Sequence, residues 1–288
     1  MMFCMNLCGL LNSSVLNKCS LKALCDVFEK TSETIERMYI GSSFCSQYFL
    51  KFSEYNEVFY YCRERKIPIT LTIPVFSEKD LEKGKEKIEK ICLEGINIID
   101  EITVNDIGML AFLQNKSTLR LNLGRLFFKD SRDCRIPDYM NGCLTPALLT
   151  HLSDDYWSQL RFEGIELDPV NRCIDLSSLN GSEYCVGLHT PFCYMTTGNI
   201  CKFGSIHYPV AQKFRPNLSC GMECTHVIDF YSGHVMQTDC DPLLIRIGRT
   251  LYFKNESVQA IGRSFDRIIY FPVKEWREYA YENLSSIE

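Results

Sequence analysis

The chain contains few histidines and tryptophans, no long apolar run and no surplus of basic residues. Of its 288 residues, 5 are histidine and 2 are tryptophan. No stretch approaches the roughly 20 consecutive apolar residues that a membrane-spanning helix needs, so we expect no membrane span. Lysine and arginine total 31 against 36 aspartates and glutamates, which gives a net charge of −5. Because proteins that bind a phosphate backbone usually carry a basic surplus, this balance argues against general nucleic-acid binding.

The motifs of several familiar enzyme classes are missing as well. The sequence has no P-loop and no glycine-rich dinucleotide-binding motif, so nothing in it favours nucleotide binding. It has neither the His-Glu-x-x-His motif of zinc peptidases nor the Gly-x-Ser-x-Gly turn that presents a nucleophilic serine. The sequence therefore contains neither of these catalytic motifs to support peptidase activity.

The N-terminal segment, Met1–Leu11, is mildly apolar but does not look like a secretory signal peptide. It lacks a basic beginning, and Asn6 and Asn12 interrupt its apolar character. We therefore expect a cytoplasmic protein. In that compartment thiols are kept reduced, so a framework of disulfides is not expected.

Cysteine is the residue that the sequence has in abundance, with 16 copies. Most are expected to be small buried hydrophobes. Four of them, however, follow one another late in the chain with the spacing C-x7-C-x18-C-x3-C, at Cys193, Cys201, Cys220 and Cys224. Thiolates suit zinc and iron–sulfur clusters. The spacing alone leaves a metal site and four ordinary cysteines as open alternatives.

Short β-rich runs alternate with helical runs along most of the chain. Ile67–Ile73 is β-branched and predicts a strand, whereas Ser77–Leu93 has the apolar spacing of an amphipathic helix. Thr145–Gln159 is predicted as one further helix. At least seven such β segments indicate a parallel sheet, open or closed into a barrel, and the run Asp266–Phe271 is placed to close it. We predict a single α/β domain over residues 1–288, an irregular TIM-like (β/α) barrel, with the cysteine-rich insertion 191–224 over its C-terminal mouth.

Three motifs in the right order resemble peptidase family U32, the collagenase-like family. The most specific is His189–Cys201, His-Thr-Pro-Phe-Cys-Tyr-Met-Thr-Thr-Gly-Asn-Ile-Cys, followed by the Cys220–Cys224 pair. Tyr39–Gly41 resembles an early strand end of the family, and Asn105–Gly108 resembles one of its turns. The sequence departs from the pattern at Thr190, where the family has glycine, and by one extra residue before Cys201. The resemblance extends over residues 1–276.

The greatest similarity is to short members of the family that act in oxygen-independent ubiquinone hydroxylation. Those proteins carry a [4Fe–4S] cluster on four cysteines, and the resemblance assigns the ligand positions to Cys45, Cys201, Cys220 and Cys224. Cys193 becomes an extra thiol or a backup ligand. The resemblance further implies a small-molecule substrate, a second U32-type subunit as partner, and an oxygen-independent hydroxylation or related tailoring reaction. It leaves open whether the chain catalyses that reaction or assists it.

Other functions and residues remain as alternatives. Some members of the family hydroxylate an RNA base, the family name implies proteolysis, and a zinc-stabilised binding module without catalysis would use the same thiols. His189 and Asp106 are the candidate catalytic residues, although Asp106 also fits a helix N-cap. His207 and His226 are alternative zinc ligands. Three late arginines could clamp a carboxylate or be ordinary solvated residues: Arg246, Arg249 and Arg263.

Overall fold

The structure, a computed structural model, describes residues 1–11, 21–31, 34–128, 143–152, 154–216, 218–225, 229–231, 244–256, 258–273 and 275. Within them, eight parallel strands pair in chain order, and the last pairs with the first. This closed barrel confirms the predicted TIM-like fold. Its strands are β1 (Met2–Asn6), β2 (Arg37–Gly41), β3 (Ile69–Thr72), β4 (Ile99–Val104), β5 (Arg120–Leu123), β6 (Gly164–Leu167), β7 (Cys185–Thr190) and β8 (Arg267–Tyr270).

Helices follow most of the strands and cover the outside of the barrel. Ile88 and Ile91 lie on the buried face of one of them, whose charged residues lie towards solvent, as its apolar spacing predicts. None of these helices has the length and apolar character that crossing a lipid bilayer requires. Their bounds are α1 (Leu21–Thr31), α2 (Ser46–Lys51), α3 (Asn56–Arg65), α4 (Leu81–Glu94), α5 (Ile107–Gln114) and α6 (Asp155–Ser158).

The single helix predicted over Thr145–Gln159 is wrong. The structure has a 3-10 turn at Ala147–Thr150 and then the short α6. Asp154, which precedes α6, has an extended backbone with φ −66° and ψ 147°, so a continuous helix cannot pass through it. The apolar spacing across this segment therefore belongs to two short elements that pack against the same core.

The segment between β7 and β8 is more ordered than the predicted irregular insertion 191–224. It begins with the strand Phe192–Thr196, which pairs antiparallel with Thr250–Lys254. That strand pairs with Leu244–Ile247, which in turn pairs with Asp229–Tyr231. The predicted irregular segment is wrong over residues 192–196, which pair as a strand whose two faces are both covered: Phe192, Cys193 and Tyr194 are all buried. The rest of 197–224 contains only 3-10 turns among its described residues.

A third sheet lies outside the barrel. Its three short strands are parallel, in the order Ala260–Ile261, Cys173–Asp175 and Cys143–Leu144. Cys143–Leu144 is an edge strand, and the side chain of Cys143 is exposed.

The lower part of the barrel interior is charged, whereas interiors of this fold are usually filled by branched apolar side chains. The Arg37 guanidinium donates to both carboxylate oxygens of Asp100, at 2.6 and 2.9 Å. Arg267 donates to Glu101 Oε2 at 3.1 Å, and the Thr70 hydroxyl donates to Glu101 Oε1 at 2.6 Å. Because Arg37, Glu101 and Arg267 are almost fully buried, each charge depends on its partner inside the protein.

Candidate functional site

The four cysteines that the resemblance assigns as ligands line one pocket, called here the cysteine pocket. Cys45 follows the carboxyl end of β2 and occupies the N-cap position of α2. Cys201, Cys220 and Cys224 come from the segment after β7 that lies between two strands of the antiparallel sheet, Phe192–Thr196 and Asp229–Tyr231. Since all strands of the barrel run parallel, the residue after β2 and the segment after β7 meet at the same mouth. Residues far apart in the sequence are thereby brought together.

Backbone N–H groups point at the sulfur atoms of this pocket. Cys45 Sγ accepts from the N–H of Tyr48, and Cys201 Sγ accepts from the N–H of Gly204, each at 3.5 Å. A side chain at position 204 would crowd the site, because its Cβ would lie 3.0 Å from the Cβ of Cys220. Glycine at this position thus lets two cysteines approach each other, and N–H···S bonds of this kind stabilise a thiolate.

Two cationic side chains connect the late cysteine segment to the region around Cys45. Lys51, in α2, donates to the backbone carbonyl of Cys220 and to Ser219 Oγ at 3.4 Å. Arg249 donates to the carbonyl of Phe44 at 2.7 Å through Nε. These contacts hold the two halves of the pocket together and place positive charge beside the thiols.

The electrostatics of the pocket disfavour thiolates unless a cation is added. Burial raises the pKa of Cys201, Cys220 and Cys224 above the ordinary thiol value. The neighbouring thiols raise the pKa of Cys224 further, since a second negative charge at short range is unfavourable. A bound metal centre reverses this balance, because it replaces the protons and stabilises the thiolate form.

The donor set agrees with an iron–sulfur cluster in chemical type and in number, four thiols. Among the described residues, no three histidine, cysteine, aspartate or glutamate side chains are arranged to hold one metal ion. A single zinc ion would need its sulfur ligands about 3.8 Å apart, because each Zn–S bond is about 2.3 Å long. In a four-iron cluster each thiolate binds a different iron, so the sulfurs stand farther apart.

Cys193, the backup ligand, does not line the cysteine pocket. It lies in the strand Phe192–Thr196, opposite Phe253, and its side chain is fully buried in the hydrophobic core. Its position is that of a small apolar core residue. Of the two alternatives for the fourth thiol, the structure brings Cys45 to the other three.

A second pocket adjoins the first at the barrel mouth, and it is called here the mouth pocket. Its walls include Asn6 after β1, Ser42 and Ser43 after β2, and Tyr252 from the antiparallel sheet. It shares four lining residues with the cysteine pocket: Cys45, Tyr48, Cys224 and Arg249. A molecule bound in the mouth pocket would therefore touch two of the four cysteines.

Arg125 forms part of the wall of the mouth pocket and is a residue that sequence reasoning missed. Its Nε donates to Asp168 Oδ1 at 2.8 Å, and its Nη2 donates to Asp168 and to the carbonyl of Phe192 at 2.8 Å. Aromatic rings of Phe44 and Tyr194 lie 5.3 and 5.6 Å from the guanidinium carbon. Since Arg125 and Asp168 are 43 residues apart, no local pattern in the sequence could have paired them.

His189, one of the two candidate catalytic residues, lies inside the barrel in β7 and not in a loop. Its Nε2 is 2.9 Å from Glu166 Oε2, and the Thr103 hydroxyl donates to Glu166 Oε1 at 2.5 Å. Burial, together with the charge of Glu101, raises the pKa of Glu166 to about 7. Burial, followed by the charge of Arg125, holds the pKa of His189 well below its ordinary value. The proton of this buried pair therefore resides on Glu166 below pH 7, and His189 stays neutral.

Asp106, the other candidate, is the N-cap of α5. Its side chain accepts the N–H of Met109 at 2.8 Å, which satisfies an otherwise free donor of the first turn. The N-cap alternative is confirmed. The contact engages one carboxylate oxygen of Asp106 at the mouth end of β4.

The remaining candidates are separated by the fold. Arg263 donates to the carbonyls of Ser182 and Tyr184 before β7, so it fastens a loop at the other end of the barrel. Arg246 lies in the strand Leu244–Ile247, and of the three late arginines only Arg249 lines the cysteine pocket. The exposed His207 is 3.3 Å from Glu223, and it does not line the cysteine pocket. His226 lies outside the described residues.

Comparison with protein-family models, with curated proteins and with solved structures finds no match to this chain. The resemblance to peptidase family U32 therefore depends on the motifs quoted above. The fold and the cysteine pocket stand independently of it, because both are read from the structure itself.

Proposed function

We propose that this chain holds a [4Fe–4S] cluster on Cys45, Cys201, Cys220 and Cys224 and takes part in an oxygen-independent hydroxylation or a related tailoring reaction. The main support for the cluster is that these four thiols, from two distant parts of the sequence, line one pocket at the barrel mouth. The family resemblance supplies the reaction class. When bound, a cluster of this kind supplies single electrons or an iron position that polarises a substrate.

The residues around the pocket have defined tasks in this proposal. The N–H groups of Tyr48 and Gly204 stabilise negative charge on two of the sulfurs. Lys51 and Arg249 offset part of the charge of four thiolates. Lys51 fixes the late segment against α2, and Arg249 bonds both to Phe44 and to Asn199, two residues before Cys201. These contacts lower part of the cost of ionising four thiols, and a bound cluster would supply the remaining stabilisation.

The mouth pocket is the proposed site for a small-molecule substrate. It adjoins the cysteine pocket through Cys45 and Cys224 and offers aromatic and hydroxyl side chains to a ligand. Arg125 is paired with Asp168, so its task there is to shape the wall and not to bind a free carboxylate. Glu166, bonded to His189 inside the barrel, holds a proton that it releases near pH 7.

Purification under strictly anaerobic conditions, followed by iron, sulfide and zinc analysis, tests the cluster. We expect about four irons and four sulfides per chain, with broad visible absorption that bleaches on reduction. A colourless protein with stoichiometric zinc would overturn the cluster in favour of a zinc-stabilised module. Protein that binds neither metal after anaerobic reconstitution would overturn the metal site altogether.

The partner is tested separately. We propose a second, related subunit, and expect the cluster-loaded chain to co-purify with it as a hetero-oligomer. A cluster-loaded monomer that is fully active by itself in size-exclusion fractions would contradict this part. Tight RNA binding that weakens steeply with added salt would instead favour RNA base hydroxylation.

A further inference from the structure

Two cysteines outside the proposed cluster site lie directly opposite each other. Cys143 and Cys173 are register partners on adjacent parallel strands of the small third sheet. The sulfur of Cys143 is 3.1 Å from the carbonyl oxygen of Cys173. Registered residues on neighbouring parallel strands point to the same face, and the strands are about 4.8 Å apart. Disulfides join residues whose Cα atoms are roughly 4.4–6.8 Å apart, so this pair meets the distance requirement.

The pair can be reached from solvent and is separate from the cysteine pocket. Cys143 is exposed on the edge strand and Cys173 is half-buried. Neither residue lines the cysteine pocket or the mouth pocket. Chemistry at this pair is therefore distinguishable from chemistry at the four proposed ligands.

We propose that Cys143 and Cys173 form a reversible disulfide by exchange with a low-molecular-weight disulfide of the glutathione type. In the first step the Cys143 thiolate attacks one sulfur of the small disulfide, forms a mixed disulfide and releases one small thiolate. In the second step the Cys173 thiolate attacks Cys143 Sγ and releases the second small thiolate. The two protein thiols lose two electrons to the small disulfide, and their two protons end on the two small thiols.

The electrostatic surroundings of Cys143 make the pair exchange slowly with small disulfides, so it follows the long-term redox state of the small-thiol pool and not brief changes. Partial desolvation, together with the neighbouring Cys173 and Asp175, raises the pKa of Cys143. Only a small fraction of the thiol is then ionised at neutral pH, and exchange is correspondingly slow. The disulfide is expected to accumulate under sustained oxidation of the small-thiol pool and to disappear when that pool is reduced.

Closing the disulfide would constrain the chain around one side of the barrel. The loop between the two cysteines contains α6 and β6, and β6 carries Glu166 into the barrel interior. Cross-linking a loop of about 30 residues lowers the entropy of the unfolded chain and stabilises the folded state. Oxidation should therefore raise the melting temperature while leaving the cysteine pocket in place.

Equilibration of the full chain in anaerobic glutathione buffers of graded oxidation tests this proposal. Free thiols are then alkylated in acid, and the digest is examined by mass spectrometry without reduction. We expect a peptide linked through Cys143 and Cys173 that appears in one transition and is lost on addition of reductant. The measurement uses the unaltered protein, so it does not depend on a variant that folds.

Variants then establish that the linkage is specific. Cys143→Ser should abolish the linked peptide, and Cys185→Ser, which alters a half-buried cysteine of β7, should leave its yield unchanged. Two outcomes would overturn the proposal. One is a stable glutathione adduct on Cys143 without internal linkage, and the other is equal linkage of Cys143 to several cysteines.

Discussion

The barrel interior and the cysteine pocket treat charge in opposite ways. Among the buried charged groups of the barrel, opposite charges meet: Arg267 bonds to Glu101, and Arg125 bonds to Asp168. In the cysteine pocket, four thiols meet, and the negative charge of the other three raises the pKa of Cys224. The buried arginines and carboxylates thus offset one another within the protein, whereas the proposed cationic centre would be needed to offset four thiolates in the pocket. The following predictions test that contrast, from the largest expected change in stability to the smallest.

Breaking a buried ion pair of the interior should have the largest effect on stability. Arg125→Met removes the guanidinium from the buried Asp168 carboxylate, since both side chains are 3% exposed or less. We expect a loss of about 3–5 kcal/mol in the free energy of unfolding, measured by urea titration.

An exposed pair provides the matched control for this substitution. Arg65 bonds to Asp26 and Glu29 at the surface, where solvent screens the charges. Arg65→Met should cost at most about 1 kcal/mol. If Arg125→Met lowers the free energy of unfolding no more than Arg65→Met does, the buried ion pairs do not stabilise the barrel more than surface pairs do.

The second prediction concerns the pH dependence of stability through Glu166. Its pKa is raised to about 7 from the ordinary value of 4.5, so the folded state binds a proton that the unfolded state releases between these values. Stability due to this group is therefore present at low pH and falls as the pH rises through 7. We expect the stability of the protein relative to Glu166→Gln to fall by about 3 kcal/mol between pH 4.5 and pH 8. A difference that is flat with pH would contradict the assignment.

The third prediction concerns Gly41, at the junction between the barrel and the cysteine pocket. Its φ is +95°, and a Cβ there would lie 2.2 Å from the backbone oxygen of Thr72. At Gly9, φ is +73° but no atom lies within 4 Å of a Cβ. Alanine would therefore strain the backbone at both positions, but its methyl group would clash only at position 41. Gly41→Ala should cost about 2 kcal/mol more than Gly9→Ala in thermal unfolding. Equal losses of stability in the two variants would mean that β3 moves away to make room for the added methyl group.

Much of the barrel could be predicted from the sequence, because its determinants are local. The β-branched run Ile67–Ile73 contains β3, and the run Asp266–Phe271 contains β8, which closes the barrel. The predictions were wrong where one local pattern is compatible with two structures. The apolar spacing over Thr145–Gln159 fits one helix, yet the structure has a 3-10 turn and the short α6 there.

The same distinction between local and long-range interactions applies to the candidate site. Asp106 as a helix cap was readable, because capping involves residues within one turn. The interior ion pairs were not, because Arg267 and Glu101 are 166 residues apart and charged residues in a sequence usually indicate a surface. The choice of Cys45 as fourth ligand came from the family resemblance, since spacing alone placed Cys193 with the other three.

The most direct test of the central claim is the iron content of Cys45→Ser compared with that of Cys193→Ser, both purified anaerobically. Cys45 lines the cysteine pocket, and Cys193 is fully buried in the core outside it. We expect Cys45→Ser to lose most of its iron, as Cys201→Ser, Cys220→Ser and Cys224→Ser should, because a cluster of this type needs four thiolates. Cys193→Ser should retain full iron at some cost in stability. A full cluster in Cys45→Ser together with its loss in Cys193→Ser would contradict the account.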